Sequence, residues 1–412
     1  MEPIVLSDKS QRYLAKAAGL GGPLNLLGER GLPTKKNENY KYTNLENILA
    51  DDLNLAKSRP GLDALSKIKT ELPAGPCLIF INGEFQENDS QLPDGLTITP
   101  AKLTGESTDL FEELSMSLAP YSYSLTVAGG KKVAAANIIH VLNGDQNESI
   151  LTSLVINAEP SSESSFLEVF LNENEEKVQS FTLTKINCEA NAKVSHTKAV
   201  LAHLSHTHIG KVKVDLARDA LLYSLTFCAT GSVNRNNLEV SINGVGAHAT
   251  VNGLYTARGE QHQDNFIHIH HRAAHTTSEQ IFKGIMDDNS RGAFTGKVVI
   301  HRDAQQVDAT QLNKNLLLSN KAHVDTRPQI EVYADDVKCG HGATVGQINQ
   351  EEVFYLESRG IQKLKAQKIL CHAFGQEVLD SCPEKATSNF LSAQLFKNFE
   401  QYALEKLGSE ES

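Results

Sequence analysis

The residues best suited to do chemistry lie in the last third of the chain, and the first group of them is rich in glycine. It is the stretch Gly340-His-Gly-Ala-Thr-Val-Gly346. A phosphate-binding loop of the form G-x-x-x-x-G-K-[ST] needs a lysine to reach the phosphates and a hydroxyl to hold Mg²⁺. Gln347 and Ile348 follow the last glycine instead, and no other segment of the sequence matches the pattern. The sequence therefore predicts a protein that does not hydrolyse ATP itself.

A run of histidines forms the second group: His262, His268, His270, His271 and His275. In a strand, His268 and His270 would share one face, and such a pair is half of a metal site. A mononuclear oxygenase or hydrolase would add a distant carboxylate ligand. Histidines on strands also form hydrogen-bonded polar ladders without metal, and we take that structural role as the first interpretation. A metal-dependent oxygenase or hydrolase that uses the run from His262 to His275 is the alternative.

The third group is the pair Cys339 and His341. If Glu331–His341 is one extended segment, Tyr333, Asp335 and Val337 share a face with this pair. The two Cα atoms would then be roughly 7 Å apart. A thiolate and an imidazole suit Fe, Zn or Cu(I), but a closed site normally has four ligands. The spacing predicts half a site, which another chain or remote residues would complete, and the structural alternative is an ordinary surface strand.

A catalytic use of the same pair fits poorly. Side chains that stand next to each other on a strand rarely give the directed thiolate–imidazole contact and the oxyanion donors that a cysteine nucleophile needs. The sequence also contains no G-x-S-x-G nucleophile elbow. We therefore expect a non-enzymatic protein.

Three regions position these groups. Residues 1–145 mix helical and extended signals: Ser7 and Asp8 can cap a helix, and the apolar run Cys77–Ile81 ends in the hairpin signal Asn82-Gly83. Residues 146–348 contain many short strands rich in β-branched residues, with almost no helical periodicity. No clean internal repeat is present, so this pattern leaves a sandwich, a barrel and a β-solenoid open. Residues 349–412 are predicted to be helical.

An apolar stripe marks the first helix of the C-terminal region. It consists of Ala366, Ile369, Leu370, Ala373, Phe374 and Val378. A second stripe follows Pro383 and contains Leu391, Leu395, Phe399 and Tyr402. Stripes of this kind usually pack on their own domain, and part of a short helical hairpin can remain for another protein.

Composition narrows the class of protein. The 412 residues carry a net charge of −11 and contain no Trp, which argues against binding of nucleic acid. No apolar run is long enough to span a membrane, and the first sixteen residues lack the apolar core of a signal peptide. Six Cys without framework spacing are typical of reduced thiols. The sequence thus predicts a cytoplasmic protein, and an imported protein that has lost its targeting segment is the alternative.

The segment around the third group resembles the signature of the SufB/SufD family of iron–sulfur cluster assembly proteins. The resemblance covers Ile330–Gly346, Gly284–Lys297, Asp308–Ser319 and Phe354–Ile361, and it is dense over residues 264–379. Near the N-terminus, Tyr40-Lys-Tyr-Thr-Asn-Leu45 is similar to the family's Trp-Arg-Tyr-Thr element, with Tyr40 in place of Trp. The Lys-Cys-x-His pattern at Cys339 and His341 resembles the SufD version of the signature rather than the SufB version.

This resemblance implies a mainly β protein with a right-handed parallel β-helix core, flanked by an N-terminal α+β region and a C-terminal helical region. It implies a non-ATPase scaffold with two partners, a SufB-like paralogue and a SufC-like ABC ATPase, and a possible homodimer when the chain is alone. Cys339 and His341 would bind iron or a transient iron–sulfur cluster at the interface with SufB, with none held by the isolated chain. The helix with Leu370 and Phe374 would dock SufC. A purely structural paralogue, whose partner supplies every ligand, is a further alternative.

Overall fold

The computed structural model describes residues 6–22, 24–57, 62–103, 107, 109–172 and 175–410, without the side chains of residues 62–64 and 400–410. Tyr402 of the second predicted stripe therefore lies outside the described side chains. The helices are α1 (Asp8–Gly19), α2 (Asn25–Arg30), α3 (Leu45–Ile48), α4 (Leu62–Lys69), α5 (Leu110–Leu118), α6 (Gln350–Glu357), α7 (Lys363–Leu379) and α8 (Lys385–Glu410).

The strands before and within the first coils are short or medium in length. They are β1 (Asn54–Leu55), β2 (Cys77–Ile81), β3 (Glu84–Phe85), β4 (Leu96–Pro100), β5 (Ser122–Val127), β6 (Ala136–Val141), β7 (Glu148–Ala158), β8 (Glu163–Asn172), β9 (Gln179–Cys188) and β10 (Lys193–Ala202). The later strands are β11 (Thr207–Leu216), β12 (Leu221–Cys228), β13 (Val233–Ile242), β14 (His248–Ala257), β15 (His262–His271), β16 (Thr277–Met286), β17 (Arg291–Ile300), β18 (Val307–Leu317), β19 (His323–Val332) and β20 (Val337–Gln347).

From β5 onward the strands alternate between two sheets. Odd-numbered strands run side by side in sheet A, in the order β19-β17-β15-β13-β11-β9-β7-β5, and even-numbered strands form sheet B from β20 back to β6. All of these neighbours are parallel, so each coil of the chain adds one strand to each sheet. The result is a parallel β-solenoid of about 7 turns with helices at both ends. The prediction of a mainly β protein with this core is confirmed, and the sandwich and the barrel are excluded.

The coils differ in length, which explains why the sequence has no clean repeat. One coil separates Thr207 from its register partner Val233, 26 residues later, whereas 32 residues separate the register partners Arg291 and His323. At the corners, Asn191 and Asp219 adopt positive φ angles of 60° and 56°. Asn and Asp tolerate this conformation better than most residues, so these corners need no glycine to mark them. The corner residues therefore vary from coil to coil, and periodicity in the sequence is weak.

The local predictions in the N-terminal region are confirmed. Ser7 caps α1, and its hydroxyl accepts a hydrogen bond from the Ser10 amide. The antiparallel hairpin of β2 and β3 turns at Asn82 and Gly83, whose φ angles are 49° and 87°. Two positive φ angles in a two-residue turn are what Asn-Gly accommodates at little steric cost.

Helices of the terminal regions cover both faces of the solenoid. Helix α5 packs on strands of sheet A, where Phe111 stacks on Phe181. Helices α7 and α8 pack on sheet B, where Val378 and Leu395 join one apolar cluster with Leu254. The two sheets also include the short strands β1 to β4 of the N-terminal region, and they end at Gln347. The division of the chain after residues 145 and 348 stays a prediction.

Buried histidines give the solenoid a predicted sensitivity to acid. His271 points inward, where Thr276 and Ser278 contact its two ring nitrogens at 2.8 and 2.9 Å. Burial lowers the pKa of His271 from 6.5 to about 4. The unfolded chain therefore binds a proton that the folded chain excludes, and the stabilisation present above pH 6.5 is lost as the pH falls toward 4.

We expect the free energy of unfolding to fall between pH 7 and pH 5, and His271→Gln to make that fall smaller by about 1–2 kcal/mol. Urea denaturation of both proteins at the two pH values measures the difference. Equal pH dependence in the wild type and the variant would show that His271 does not contribute.

Candidate functional site

Among the described residues, the solenoid ends in two strands that lack a neighbour on one side. β19 is the last strand of sheet A and β20 is the last strand of sheet B. Their residues are much more exposed than those of the preceding coils: Val332 and Val345 are each 44% exposed and Tyr333 is 62% exposed. Unpaired strand edges with exposed apolar residues are surfaces on which another chain can add strands.

Cys339 and His341 both lie on β20, at this open end. Cys339 is the register partner of Ala309, and His341 is the register partner of Gln311. Ala309 and Gln311 are buried and point into the solenoid. Because neighbouring strands in register present the same face, Cys339 and His341 stand over the interior of the last coil rather than on the outer wall. Both side chains are exposed because no further coil covers them.

The prediction of one extended segment from Glu331 to His341 is wrong. β19 ends at Val332, the chain turns, and β20 begins at Val337 in the other sheet. The Asp336 carbonyl accepts a hydrogen bond from the Gln306 amide at the equivalent corner of the preceding coil, which fixes the turn. The alternation of faces in a single extended strand therefore does not apply from Glu331 to His341. Cys339 and His341 still share a face, because both follow the corner.

The electrostatics of Cys339 suit a ligand better than a nucleophile. Partial burial raises the pKa of the Cys339 thiol above its usual value, and a backbone hydrogen bond with Ala309 offsets only part of this effect. A catalytic cysteine needs a lowered pKa, whereas a metal ligand loses its proton when the metal binds. In the described part of the chain, no group of three or more His, Cys, Asp or Glu side chains is arranged to hold a metal ion. Cys339 and His341 thus form an incomplete set of ligands.

The structure separates the members of the histidine run. His268 and His270 lie on the outer face of sheet A with their ring centroids 4.0 Å apart, and His270 Nδ1 is 3.3 Å from His301 Nε2. Lys297 is the register partner of His268 on the next strand. Burial lowers the pKa of His268 to about 4 and that of His270 to about 3, so both rings are neutral. His270 thus contacts His301, whereas His268 only packs against the His270 ring, and no group of three or more potential ligands forms here among the described residues.

The remaining histidines of the run have separate surroundings. His271 faces the interior, and His275 occupies a corner with a φ of 57°. His262 contacts the Thr43 hydroxyl at 2.7 Å, in the element that resembled Trp-Arg-Tyr-Thr. The run therefore supplies a pair of rings in contact on the outer face, an interior hydrogen bond, a corner and a contact with the N-terminal region.

A buried arginine anchors that N-terminal element to sheet A. Arg235 forms an ion pair with Asp264, and both side chains are 2% exposed. Its second terminal nitrogen donates to the Asn39 carbonyl at 2.6 Å, and its guanidinium lies 4.1 Å from the ring centroid of Tyr40. The Tyr40 hydroxyl donates to Asp109 at 2.7 Å. Tyr40 thus provides a flat ring for the guanidinium together with a hydroxyl that reaches a carboxylate.

We expect Arg235→Ala to lower the free energy of unfolding by about 3–5 kcal/mol, because it leaves Asp264 as a buried charge without its partner. Urea denaturation followed by circular dichroism measures the loss. As a control, Arg235→Met with Asp264→Leu removes both charges and should recover much of the stability. A loss below about 1 kcal/mol for the single variant would contradict this role of the ion pair.

A charged cluster inside the solenoid was not anticipated from the sequence. Glu168 accepts hydrogen bonds from His140 Nε2 at 3.0 Å, from His196 Nε2 at 2.8 Å and from the Thr184 hydroxyl at 2.9 Å. Burial by itself would raise the pKa of Glu168, but the two histidines outweigh it and hold the pKa well below its usual range. Lys198, the register partner of Glu168, is also buried. The sequence signal for this cluster is the spacing of 28 residues from His140 to Glu168 and again from Glu168 to His196. This spacing indicates a contact only once the chain is known to form a solenoid.

Leu370 and Phe374, the predicted docking residues, are half-buried. They pack against an apolar cluster formed by α6, α7 and strand β16. Lys283 donates to the Phe374 carbonyl at 2.9 Å and lies 4.4 Å from the centroid of its ring. Of the predicted stripe, Ala366 and Val378 are buried, whereas Ile369 is 41% exposed. The stripe therefore belongs in part to the protein's own core.

An exposed apolar patch lies beside these residues, and we call it the α6–α7 patch. It consists of Phe354, Tyr355, Leu364 and Ile369, which are 40% to 71% exposed. A groove of about 360 Å³ opens between the two helices, with Tyr355, Ile369 and Leu370 in its walls. Contiguous exposed apolar residues of this kind mark surfaces for protein partners.

None of the helices in the described residues is long and apolar enough to cross a membrane.

The comparisons with known proteins agree with this architecture. Residues 140–374 match the family model described as SUF system FeS cluster assembly, SufBD core domain. The chain is 30% identical to the iron–sulfur cluster assembly protein SufD of Escherichia coli over 387 residues, which cover 90% of each chain. It is 28% identical to a SufBD family protein of Synechocystis, over 88% of this chain and 86% of the relative. A chloroplastic protein of Arabidopsis thaliana is 26% identical over 86% of this chain and 80% of its own length.

Proposed function

The chain belongs to the SufBD family of iron–sulfur cluster assembly proteins, and from that premise we propose that it is the non-ATPase scaffold subunit of a SufB–SufC–SufD type complex. The observation that carries the proposal is the open end of the solenoid. There, a thiol and an imidazole stand on a strand with one unpaired edge, above the interior of the last coil.

The partner proposed for the open end is a SufB-like solenoid. β19 and β20 each present a row of unpaired backbone groups, and a second parallel solenoid can satisfy both rows by adding its own terminal strands. The exposed apolar residues Val332, Tyr333 and Val345 would become buried in such an interface. The same surface can pair with a second copy of this chain when the paralogue is absent.

The proposed cargo is iron or a nascent iron–sulfur cluster shared across that interface. Cys339 supplies a soft thiolate and His341 supplies an imidazole nitrogen, which are ligands that iron–sulfur centres accept. Two ligands are too few to retain a cluster firmly, so the SufB-like partner must provide the others. We expect the isolated chain to hold little or no iron, and the function to be assembly rather than catalysis.

The proposed site for a SufC-like ABC ATPase is the α6–α7 patch. The patch lies against sheet B through the half-buried residues Leu370 and Phe374, so movement of the helices would be transmitted to the strands beneath them. ATP hydrolysis by the partner fits the absence of a phosphate-binding loop from this sequence. We propose that the complex works in the cytoplasm.

Co-expression with SufB-like and SufC-like proteins tests the function. The tagged chain should retain both partners through size-exclusion chromatography, and anaerobic reconstitution of the complex should give iron and sulfide in the ratio of a cluster. The same chain purified alone should contain much less iron. One tightly held iron per isolated chain, without sulfide and without partners, would instead support the metal-dependent oxygenase or hydrolase.

A further inference from the structure

One buried side chain lies directly beneath His341. Gln311 on β18 is the register partner of His341, and it points into the solenoid from the last covered coil. The side chain is 2% exposed, and its Oε1 is buried without a hydrogen-bond partner in the described part of the structure. A buried acceptor without a partner destabilises the folded protein, so its presence calls for a donor.

Two contacts fix the direction in which this oxygen points. Gln311 Nε2 donates to Gln280 Oε1 at 2.7 Å, and Gln280 lies on β16 in the preceding coil. On the facing sheet, Gly296 leaves room for the amide, because a Cβ at this position would overlap Gln311 Nε2 and lie 2.8 Å from its Cδ. The amide nitrogen is thus turned toward the preceding coil. Since the oxygen is on the other side of Cδ, it is turned away from Gln280, and His341 stands on the strand that follows.

We propose that Gln311 is a positioning residue for His341: rotation of the exposed His341 side chain brings its Nδ1–H to the unpartnered Oε1 of Gln311, which then accepts a hydrogen bond and leaves the Nε2 lone pair facing the partner. A histidine ligand commonly donates its second ring N–H to a carbonyl or carboxylate oxygen, which fixes both the tautomer and the orientation of the ring. The use of Nε2 as a ligand rests on the proposed function. The tautomer itself is a property of the isolated chain.

The tautomer can be measured directly on the full-length protein labelled with ¹⁵N-histidine. Long-range ¹H–¹⁵N correlation spectra, recorded at a pH at which the ring is neutral, distinguish Nδ1–H from Nε2–H. His341→Ala assigns the signal. We expect His341 to carry its proton on Nδ1, Gln311→Leu to move the proton to Nε2, and Gln311→Glu to keep it on Nδ1. Thr310→Ala, on the outward face of the same strand, is the matched control and should change nothing.

An Nε2–H tautomer in the wild type, or an unchanged Nδ1–H tautomer in Gln311→Leu, would overturn the proposal. If Gln311→Leu does not fold, Gly296→Ala displaces the amide instead and should cause the same change of tautomer. In the complex, Gln311→Leu should lower cluster formation by about 10-fold to 100-fold without weakening association of the subunits. If the wild type shows Nδ1–H but His341→Ala forms clusters normally, the positioning role stands and the proposed function fails.

Discussion

Replacing His341 with alanine is expected to leave the three-protein complex assembled and to lower its rate of cluster formation by about tenfold or more. The side chain is exposed at the open end and contributes nothing to the apolar core, so its removal should not change the free energy of unfolding. It does remove one of the two ligands that this chain offers to the shared site. Anaerobic reconstitution, followed by the absorbance of the cluster and by iron and sulfide analysis, measures the effect.

Cys339→Ser separates ligand chemistry from shape at the same site. Serine has nearly the same size as cysteine but exchanges a soft thiolate for a harder oxygen, which binds iron–sulfur centres more weakly. We expect a loss equal to or smaller than that of His341→Ala, because the partner would provide further thiolates. Lys338→Ala, an exposed change on the opposite face of the same strand, is the control and should be neutral. Normal cluster formation by both ligand variants would leave only the structural alternative for this strand.

The local features could be predicted from the sequence because their causes are local. The Asn82-Gly83 turn, the Ser7 cap and the shared face of Cys339 and His341 each depend on residues within a few positions of one another. The resemblance to the SufB/SufD family supplied the solenoid, which periodicity alone left undecided. Coils of unequal length and corners without glycine hide the repeat that would have revealed it.

The features that escaped prediction depend on which residues meet across coils. Arg235 contacts Asn39, which is 196 residues away in the chain, and no local pattern indicates that contact. The interior position of Glu168 becomes evident only when the solenoid places His140 and His196 on either side of it. The turn between Val332 and Val337 was misread because strand signals continue on both sides of a corner. In a solenoid, the local sequence indicates which segments are strands. Which residues face each other on neighbouring strands depends on the number of residues in each coil, which the local sequence does not give.

The C-terminal apolar stripe was also only partly predictable. Helical periodicity identified its residues, but it does not show which of them are buried against the protein's own core and which remain exposed. Leu370 and Phe374 pack against the chain's own cluster, whereas Ile369 and Tyr355 remain exposed in the α6–α7 patch. A docking surface must be exposed before the partner binds. Substitution of the exposed residues therefore tests docking of the partner, whereas substitution of the half-buried residues tests how the helices are held on sheet B.

Ile369→Glu and Tyr355→Glu are each expected to weaken binding of the SufC-like ATPase by about tenfold or more while the solenoid stays folded. An apolar anchor in a buried interface contributes about 2 kcal/mol or more, and a carboxylate in its place must also lose its hydration. Isothermal titration calorimetry with the purified ATPase measures the affinity, and urea denaturation measures stability. Ala386→Glu adds the same charge at an exposed position of α8 and should have no effect on binding.

Phe374→Glu should instead lower stability, because its ring is half-buried beside Lys283. Unchanged affinity in both exposed variants would show that the ATPase binds elsewhere, and the α6–α7 patch would then need a different partner.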